Sequence, residues 1–311
     1  MNSQHLPLVS IVIPNFNCLD YLPQCLQSIE QQTFVDYEII FVDDGSTDGS
    51  REYLAELAAL RPYVSVWHSD RIGPGAARNL AVRQAKGDYI AFLDADDTWT
   101  HSKLAEQVAF MRANKNCVMS FTNYQHIDEQ DREIIPCFDY WPDFKRYLDN
   151  QAPTKGYQVV SHASAALFKE NIVGTSSVMC RRDVYLDVEG FDTELPSASD
   201  WDLWLKLSTA GDVAFTTDIR MYYLMRAGSV SSNVEKRIAA MKTIAARYEH
   251  HAQQQCANSK RFVDARLMDA LCEHASANLG YLKRNIIHVQ TFAAFPNARR
   301  FKAMMKTALC V

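Results

Sequence analysis

Three clusters of polar residues stand out in this sequence because each directly follows an apolar run typical of a buried β-strand. They are Pro14-Asn15-Phe16-Asn17, Asp43-Asp44 and Asp94-Ala95-Asp96-Asp97. In a parallel sheet the carboxyl ends of the strands open into the crevice where ligands bind, so the fold would bring these distant clusters side by side. Grouped carboxylates of this kind suit the binding of a hard divalent cation.

Each cluster alone also has a purely structural interpretation. Asn and Asp after a strand most often form turns, which is the simpler interpretation of Asn15 and Asn17, and Asp43-Asp44 would be a tight turn in about half of such cases. The third cluster differs, because strand alternation would point Asp94 and Asp96 the same way, where their charges repel. We therefore predict that Mg²⁺ or Mn²⁺ relieves this repulsion.

The usual backbone cradles for phosphate groups are missing from the sequence. No Gly-x-Gly-x-x-Gly follows the first strand, and no Gly-x-x-x-x-Gly-Lys-Ser/Thr occurs. The histidines show no zinc spacing, since His250 and His251 are adjacent and no His-x-x-x-His occurs. A nucleotide bound at the acidic clusters would need the cation to neutralise its phosphates, as a departing nucleoside diphosphate requires.

Composition excludes several classes of protein. A chain with 48% hydrophobic and 22% charged residues is typical of a globular protein, and a net charge of -5 argues against a general nucleic-acid binder. Eight scattered cysteines without a Cys-x-x-Cys pair indicate a reducing compartment. The start of the chain has no basic leader, and the apolar run Leu8 to Ile13 is too short to span a membrane. We expect a cytoplasmic protein.

The spacing of apolar residues predicts alternating strands and helices over the first hundred residues. The predicted strands are Leu8–Pro14, Tyr37–Val42, Tyr63–His68 and Asp88–Leu93. The predicted helices are Asp20–Gln32, Ser50–Leu60, with Thr47 or Asp48 as its N-cap, and Ala76–Lys86. This alternation predicts an α/β fold whose mainly parallel sheet is covered by helices on both faces.

The alternation is less regular after Asp97. We predict helices at Ser102–Arg112, Asp183–Asp187 and Ser199–Thr209, and strands at Cys117–Phe121, Thr175–Cys180 and Asp212–Thr216. The segment Ile135–Ser161 is interpreted as a long irregular lid or binding loop. From about Asn233 onward the pattern is helical only, so we predict a catalytic domain over residues 1–232 and a helical extension over residues 233–311.

Four motifs in order give a resemblance to the family 2 glycosyltransferases: VSIVIPNFN, EIIFVDDGSTDGS, GPGAARNLAVRQAKGDYIAFLDADDTW, and SASDWDLWLKL after GTSSVMCRRDVY. The likeness covers roughly Leu8 to Ser232. It implies an inverting enzyme with the GT-A fold, a Rossmann-like domain for nucleotide-diphospho-sugars. It further implies transfer of one sugar from a nucleotide-sugar donor to a glycan or lipid-linked acceptor in bacterial surface polysaccharide or glycolipid synthesis. The donor is UDP-linked by family habit, with guanosine and thymidine donors as open alternatives.

The resemblance also assigns roles to individual residues. Asp96 is the expected direct ligand of Mn²⁺ or Mg²⁺, and Asp94 binds the metal or the ribose. Phe16 offers a face on which the nucleoside base can stack. Arg78 would face the donor, and a salt bridge on the protein surface is an equal alternative for it. The donor-binding positions implied by the resemblance are Pro14, Phe16, Asn17, Asp43, Asp44, Gly75, Arg78, Asp94 and Arg226.

Asp200 matches the carboxylate that acts as general base on the acceptor hydroxyl. An inverting transfer needs one base, on the face of the sugar opposite the departing diphosphate. The alternative is that Asp200 and Asp202 only stabilise a helix N-terminus capped by Ser199. We favour the catalytic role because Trp201 and Trp204, interpreted as core residues, anchor that helix.

The sequence departs from the family pattern at two places. Ser199 stands where the family often has Glu directly before the base, which bears on how Asp200 is tuned. In the stretch Tyr223 to Ser231, Arg226 occupies the position of a frequent family His and is a candidate partner of the diphosphate. No Gln-x-x-Arg-Trp motif occurs, which favours transfer of a single sugar over processive polymer synthesis.

The role of the helical extension has more than one interpretation. Basic residues interleave with Phe295, Phe301 and Met305, which predicts either peripheral contact with the inner face of a membrane or ordinary packing with a solvated basic face. Helical hairpins between Glu235 and Arg284 are a candidate homodimer interface.

A nucleotidyltransferase and a catalytically silent nucleotide-sugar binding module are the alternative functions of the protein. The sugar is not readable from sequence, and we expect the loop between Ile135 and Gly174 to select it.

Overall fold

The computed structural model describes residues 6–151, 154–226 and 233–309. Within them the chain forms two compact units, one of residues 6–193 and 199–226 and the other of residues 194–198 and 233–309. The predicted boundary near Ser232 lies outside the described residues, so the division into 1–232 and 233–311 stays a prediction.

The first unit begins with the predicted alternation of strands and helices. The strands are β1 (Val9–Asn15), β2 (Tyr37–Asp43), β3 (Val64–His68) and β4 (Tyr89–Phe92), and the helices are α1 (Leu22–Glu30), α2 (Ser50–Leu60) and α3 (Pro74–Gln84). The predicted cap of α2 is wrong. Gly49 precedes the helix with a φ of 96°, a conformation that glycine adopts without strain. The Asp48 carboxylate still accepts a hydrogen bond from the Ser50 N–H at 3.0 Å.

The rest of the unit holds more regular structure than predicted. In chain order the elements are β5 (Thr98–Trp99), α4 (Lys103–Ala113), β6 (Cys117–Ile127), β7 (Glu133–Pro136), α5 (Cys137–Tyr140), α6 (Pro142–Asp149), β8 (Gln158–Val159), α7 (Ala163–Lys169), β9 (Met179–Arg181), α8 (Arg182–Asp187), α9 (Ser199–Ala210) and β10 (Asp212–Leu224). Residues 135–161 therefore do not form one irregular loop, because α5, α6 and β8 lie within them. The predicted strand from Thr175 is also wrong at its start, where Thr175–Ser177 is a 3₁₀ turn.

The ten strands of the described residues form one sheet. Its main order is β3-β2-β1-β4-β9-β6-β10-β5, with β7 paired to β6 and β8 paired to β10. Parallel ladders join β3, β2, β1 and β4, and another joins β6 to β10. Since β9 is antiparallel to both β4 and β6, the carboxyl ends of β1, β2, β4, β6 and β10 lie at the same edge.

The centre of this sheet is covered on both faces, as the sequence predicts. Val9, Ile11 and Val12 of β1 are fully buried, and successive side chains of a strand point to opposite faces. Phe92 of β4 packs against Trp204 of α9, with ring centroids 6.2 Å apart. This contact holds α9 against the strand that precedes the third acidic cluster.

The second unit contains helices only in its described part from residue 233 onward, as predicted. They are α10 (Val234–Gln255), α11 (Ser259–Asn278), α12 (Tyr281–Ala294) and α13 (Ala298–Leu309). The Arg300 guanidinium makes two 2.7 Å hydrogen bonds to the Asp269 carboxylate, which ties α13 to α11. Over residues 6–151, 154–226 and 233–309, helices with the length and apolar character needed to cross a bilayer are absent.

Candidate active site

The turns after β1 and β2 are joined by a buried hydrogen-bond network. The Asn15 amide donates to the Asp43 carboxylate at 2.9 Å and to the Ser46 hydroxyl at 3.1 Å. Asn17 has a φ of 51°, and its side-chain oxygen accepts from the Thr47 N–H at 2.8 Å. Both asparagines thus hold the turns together, as their structural interpretation requires. A donor-binding role for Asn17 stays a prediction.

Phe16 and Asp43, the predicted contacts of the nucleoside, lie at this same corner of the fold. The Phe16 ring is 41% exposed, and the Arg71 guanidinium lies 5.0 Å from its centroid. The planar, delocalised guanidinium of Arg71 therefore already lies over one face of the ring. Asp43 is fully buried, and the Arg51 side chain donates to it at 3.4 Å. Pro14 is half-buried one residue before Asn15.

Asp44 organises the turn that leads into α3. Its carboxylate accepts hydrogen bonds from the Ser69 hydroxyl and from the Ile72 and Gly73 N–H groups, each at 2.8 Å. Gly73 has a φ of 86°, where a side chain would be strained. Asp44 thereby fixes the start of the helix that carries Gly75 and Arg78, whether or not it also touches a ligand.

The third acidic cluster is a turn, so the predicted strand alternation of Asp94 and Asp96 is wrong. Strand β4 ends at Phe92, and the Asp97 N–H donates to the Asp94 carbonyl at 3.0 Å. The two carboxylates still lie close enough to repel, since burial and the Asp94 charge raise the pKa of Asp96. Their side chains are 30% and 21% exposed, which leaves both accessible to a ligand.

Asp97 and Ser176 hold this acidic turn in place through hydrogen bonds. The Ser176 hydroxyl donates to one Asp97 oxygen at 2.5 Å and accepts from the Asp94 N–H at 2.9 Å. The other Asp97 oxygen accepts from the Leu224 N–H at 3.2 Å. Burial, with the charges of Asp96 and Asp94, raises the pKa of Asp97 well above its usual range. Neither Asp97 nor Ser176 was predicted as a site residue, although both stand in motifs of the sequence.

Asp94 and Asp96 are the carboxylates of the acidic turn that could hold a divalent cation. In the described part of the chain, groups of three or more His, Cys, Asp or Glu suited to holding a metal are absent. Mg²⁺ typically needs only one or two protein carboxylates, with water and substrate phosphates completing its shell. Arg78 forms an ion pair with Asp94, and Arg226 forms one with Asp96 at 2.7 Å. A cation bound to Asp96 would compete with Arg226.

Arg78 is buried, so the alternative of a surface salt bridge is wrong. Its side chain is 8% exposed, pairs with Asp94 and lies 5.3 Å from the Phe191 ring centroid. Gly75, one turn earlier in α3, lets that helix approach the start of α9. A Cβ on Gly75 would lie 3.2 Å from the Ser199 hydroxyl oxygen. The approach places Arg78 near the predicted base.

Asp200 lies in the first turn of α9, next to Arg78. Burial raises its pKa, while the Trp201 N–H, the Arg78 charge and a hydrogen bond from the Asn171 amide act in the opposite direction. The Trp201 N–H donates to the Asp200 carboxylate at 2.8 Å. Trp201 and Trp204 are buried, which confirms that they are core residues. Asn171 was missed, because its segment carries no recognisable pattern.

Asp202 does not act as a simple helix N-terminal charge. It is fully buried, and the Lys206 ammonium lies 3.2 Å from its carboxylate. Asp200 is partly exposed, so of the two acidic residues in this turn it is the one accessible to solvent.

The carboxyl end of β10 lies beside the acidic turn. Burial raises the pKa of Tyr223, and so do the charges of Asp97, Asp94, Asp96 and Asp200, in that order. The N–H of the next residue, Leu224, donates to the Asp97 carboxylate at 3.2 Å, so Tyr223 stands beside the acidic turn. The rest of the motif, from Ala227 to Ser231, lies outside the described residues.

Arg226 reaches back to the first turn of the fold. Besides its pair with Asp96, its guanidinium donates to the Cys18 sulfur at 3.3 Å and lies 5.3 Å from the Tyr21 ring centroid. The positively charged guanidinium of Arg226 therefore lies beside the predicted metal ligands, and Arg226 occupies the position where the resemblance expects His.

Known proteins are similar to this chain in sequence. The profile described as "Glycosyl transferase family 2" matches residues 10–173. The "Putative teichuronic acid biosynthesis glycosyltransferase TuaG" of Bacillus subtilis is 31% identical over 76% of this chain and 86% of its own length. An Escherichia coli protein, the "UDP-Glc:alpha-D-GlcNAc-diphosphoundecaprenol beta-1,3-glucosyltransferase WfaP", is 30% identical over 77% of this chain and 86% of its own.

Solved structures share the fold. That of S. aureus TarS residues 1–349 in complex with UDP-GlcNAc has a TM-score of 0.62 at 20% identity, covering 96% of this chain and 79% of its own. That of the mannosyltransferase PcManGT from Pyrobaculum calidifontis, in complex with GDP-Man and Mn²⁺, has a TM-score of 0.63 at 17% identity, covering 98% of this chain and 85% of its own. The expected GT-A fold is confirmed.

Proposed function

This chain belongs to glycosyl transferase family 2, and from that premise we propose that it moves one sugar, with inversion, from a UDP-sugar to an acceptor hydroxyl. The observation that carries the proposal is the position of Arg78. This buried guanidinium pairs with Asp94 of the acidic turn, and its charge also lowers the pKa of Asp200. One side chain thus connects the groups that would hold the departing diphosphate with the group that would activate the acceptor.

The nucleoside of the donor would lie at the corner formed after β1 and β2. Phe16 presents a half-exposed ring on which a base can stack, in the place where Arg71 now lies. Asp43 can accept a hydrogen bond from an imino N–H of the base, since a buried carboxylate is a strong acceptor. Uridine is the base we propose, because it is the base of the nucleotide-sugars in the names of the WfaP and TarS relatives.

The diphosphate would bind at the acidic turn through Mn²⁺ or Mg²⁺ held by Asp96 and Asp94. The cation would neutralise charge that develops on the diphosphate as the sugar leaves. Arg226 can release Asp96 and donate to the same phosphates, because a guanidinium suits both partners. Asp97 and Ser176 would keep the turn in place while the charges change.

Asp200 would remove the proton from the acceptor hydroxyl as that oxygen attacks the anomeric carbon. The bond from the sugar to the diphosphate breaks on the opposite face, and its electron pair leaves with the diphosphate. One direct displacement of this kind inverts the configuration of the anomeric carbon. Because burial raises the pKa of Asp200, the carboxylate holds a proton more readily than an exposed Asp does. Asn171 and Arg78 keep the ionised form accessible.

The acceptor we propose is a lipid-linked glycan in surface polysaccharide synthesis. Support comes from the names of TuaG and WfaP, which specify teichuronic acid biosynthesis and a diphosphoundecaprenol-linked sugar. Such an acceptor would place the protein at the cytoplasmic face of the membrane. The exposed Phe301 and Met305 of α13, beside exposed Lys302, suit peripheral contact with anionic lipid. A homodimer through α10 and α11 stays a second prediction for this region.

The proposal is tested by donor turnover. Purified protein with Mn²⁺ and a panel of nucleotide sugars, with lipid-linked glycans as acceptors, should release UDP from one donor. Asp96→Asn and Asp200→Asn should abolish the release, whereas Asp88→Asn should not, because Asp88 is exposed at the opposite end of β4. Full activity of Asp200→Asn would contradict the proposal. Pyrophosphate release from a nucleoside triphosphate would indicate a nucleotidyltransferase, and UDP binding without turnover would indicate a silent binding module.

A further inference from the structure

A row of aromatic side chains leads away from the acidic turn. It consists of Tyr223, His126, Tyr140 and Trp141, and we refer to it as the aromatic row. The ring centroids of Tyr223 and His126 are 5.5 Å apart, those of His126 and Tyr140 are 6.2 Å apart, and those of Tyr140 and Trp141 are 5.2 Å apart. The four rings therefore form a continuous series of contacts.

The sheet places this row on the far side of the acidic turn from the nucleoside corner. His126 and Tyr223 are register partners near the carboxyl ends of β6 and β10. The nucleoside corner follows β1 and β2, and the acidic turn follows β4, which lies between the two pairs of strands in the sheet. All these strand ends lie at one edge, so the order along it is nucleoside corner, acidic turn, aromatic row.

The inner end of the row lies beside the acidic turn. Leu224 directly follows Tyr223, and its N–H donates to the Asp97 carboxylate at 3.2 Å. Tyr124 supports this end from inside the protein, with its centroid 5.9 Å from that of Tyr223 and 5.1 Å from that of His126. Gly174 makes room for Tyr124, since a Cβ there would lie 2.7 Å from the tyrosine ring. The row therefore has a fixed start beside the acidic turn.

The outer part of the row is open and carries polar edges. Tyr140 is 60% exposed, whereas His126 and Trp141 are partly exposed. The Nδ1–H of His126 donates to the Ile135 carbonyl at 2.9 Å, because a carbonyl can only accept. Burial lowers the pKa of His126, so the neutral ring keeps Nε2 as an acceptor. Aromatic faces next to hydroxyl and imidazole groups match a sugar ring, which has apolar C–H faces and a hydroxyl rim.

We propose that the aromatic row binds a sugar ring of the acceptor glycan next to the attacked hydroxyl. The inference rests on the proposed function, because Asp200 must touch that hydroxyl and the donor occupies the other side of the acidic turn. The row also explains the role of the predicted specificity segment. Tyr140 and Trp141 belong to residues 135–174, and α5 and β7 bring them to the sheet edge.

The test is saturation-transfer NMR on the full chain with UDP and Mn²⁺ present. The probes are the methyl pyranosides of glucose, galactose, N-acetylglucosamine and N-acetylgalactosamine. We expect the ring protons of at least one probe to receive saturation. Tyr140→Ala should weaken its affinity roughly three- to tenfold, and Tyr140→Trp should restore it. The matched control is Tyr63→Ala, an exposed tyrosine just before β3, at the opposite edge of the sheet.

Two results would overturn the inference: saturation of none of the probes, or saturation that is unchanged in both Tyr140→Ala and His126→Ala. The affinity of the same wild-type sample for UDP separates this outcome from failure of the proposed function. A protein that binds UDP with Mn²⁺ but stacks no pyranoside on the row refutes the aromatic row alone. A protein that binds no UDP refutes the proposed function itself. Thermal unfolding of each variant checks that Tyr140, an exposed side chain, has been removed without unfolding the protein.

Discussion

Replacing Ser176 with Ala should detach the acidic turn from its support. The Ser176 hydroxyl makes two hydrogen bonds there, donating to Asp97 at 2.5 Å and accepting from the Asp94 N–H at 2.9 Å. Hydrogen bonds to a carboxylate contribute about 1.5 to 3 kcal/mol, and neutral ones contribute about 0.5 to 1.5 kcal/mol. Since the site is buried and water cannot replace the hydroxyl, Ser176→Ala should lower the free energy of unfolding by about 2 to 4 kcal/mol.

The effect on function should exceed the effect on stability. Residues that orient metal ligands typically change metal affinity or activity by about 10- to 100-fold when they are removed. We expect a loss of that size in the apparent Mn²⁺ affinity, measured from UDP release as Mn²⁺ is titrated at saturating donor. Urea unfolding of the same sample gives the stability term.

The neighbouring serine is a matched control. Ser177 is equally buried, but its hydroxyl donates to the Gly174 carbonyl at 2.7 Å and not to the acidic turn. Ser177→Ala should cost about 1 kcal/mol of stability and leave the apparent Mn²⁺ affinity within about twofold of wild type. If both variants lose Mn²⁺ affinity equally, or if Ser176→Ala loses none, the assigned support of the turn is refuted.

Three further predictions concern the groups around the turn. Asn171→Ala removes a donor that stabilises the ionised form of Asp200, so the pKa of this base rises and the acid limb of the kcat/KM profile moves to higher pH; an unchanged limb would contradict the contact. Arg226→Ala frees Asp96, so Mn²⁺ alone should bind several-fold tighter by calorimetry while UDP with Mn²⁺ binds about tenfold more weakly. Gly75→Ala pushes the start of α9 from α3, so kcat should fall about tenfold with a smaller change in UDP affinity; equal losses in both would contradict this.

The parallel half of the fold was readable from the sequence because its signals are local. Strands β1, β2 and β4 are mainly apolar, as strands buried on both faces must be, and α2 has the predicted bounds. The region after residue 97 was less readable. Strands β6 and β10 extend to Ile127 and Leu224 through polar and aromatic residues that have partners only in the folded sheet.

The same distinction applies to the candidate site. Asp94, Asp96 and Asp200 stand in motifs whose residue types suggest chemistry by themselves. Asp97, Ser176 and Asn171 do not, because their roles depend on hydrogen bonds that form only in the folded chain. Asp97 is bonded to Ser176 and to Leu224, each more than seventy residues away, and Asn171 is bonded to Asp200. Arg78 was ambiguous for a similar reason. A lone arginine in a helix is usually exposed, and its burial against Phe191 follows from the approach of α9 that Gly75 permits.

The most direct test of the account is the affinity of the protein for UDP with and without a divalent cation. We predict tight binding with Mn²⁺, a loss of about 100-fold or more when Mn²⁺ is replaced by EDTA, and the same loss for Asp96→Asn in Mn²⁺. UDP binding that is equally strong in EDTA, or unaffected by Asp96→Asn, would contradict the claim that the acidic turn holds the diphosphate through a metal ion.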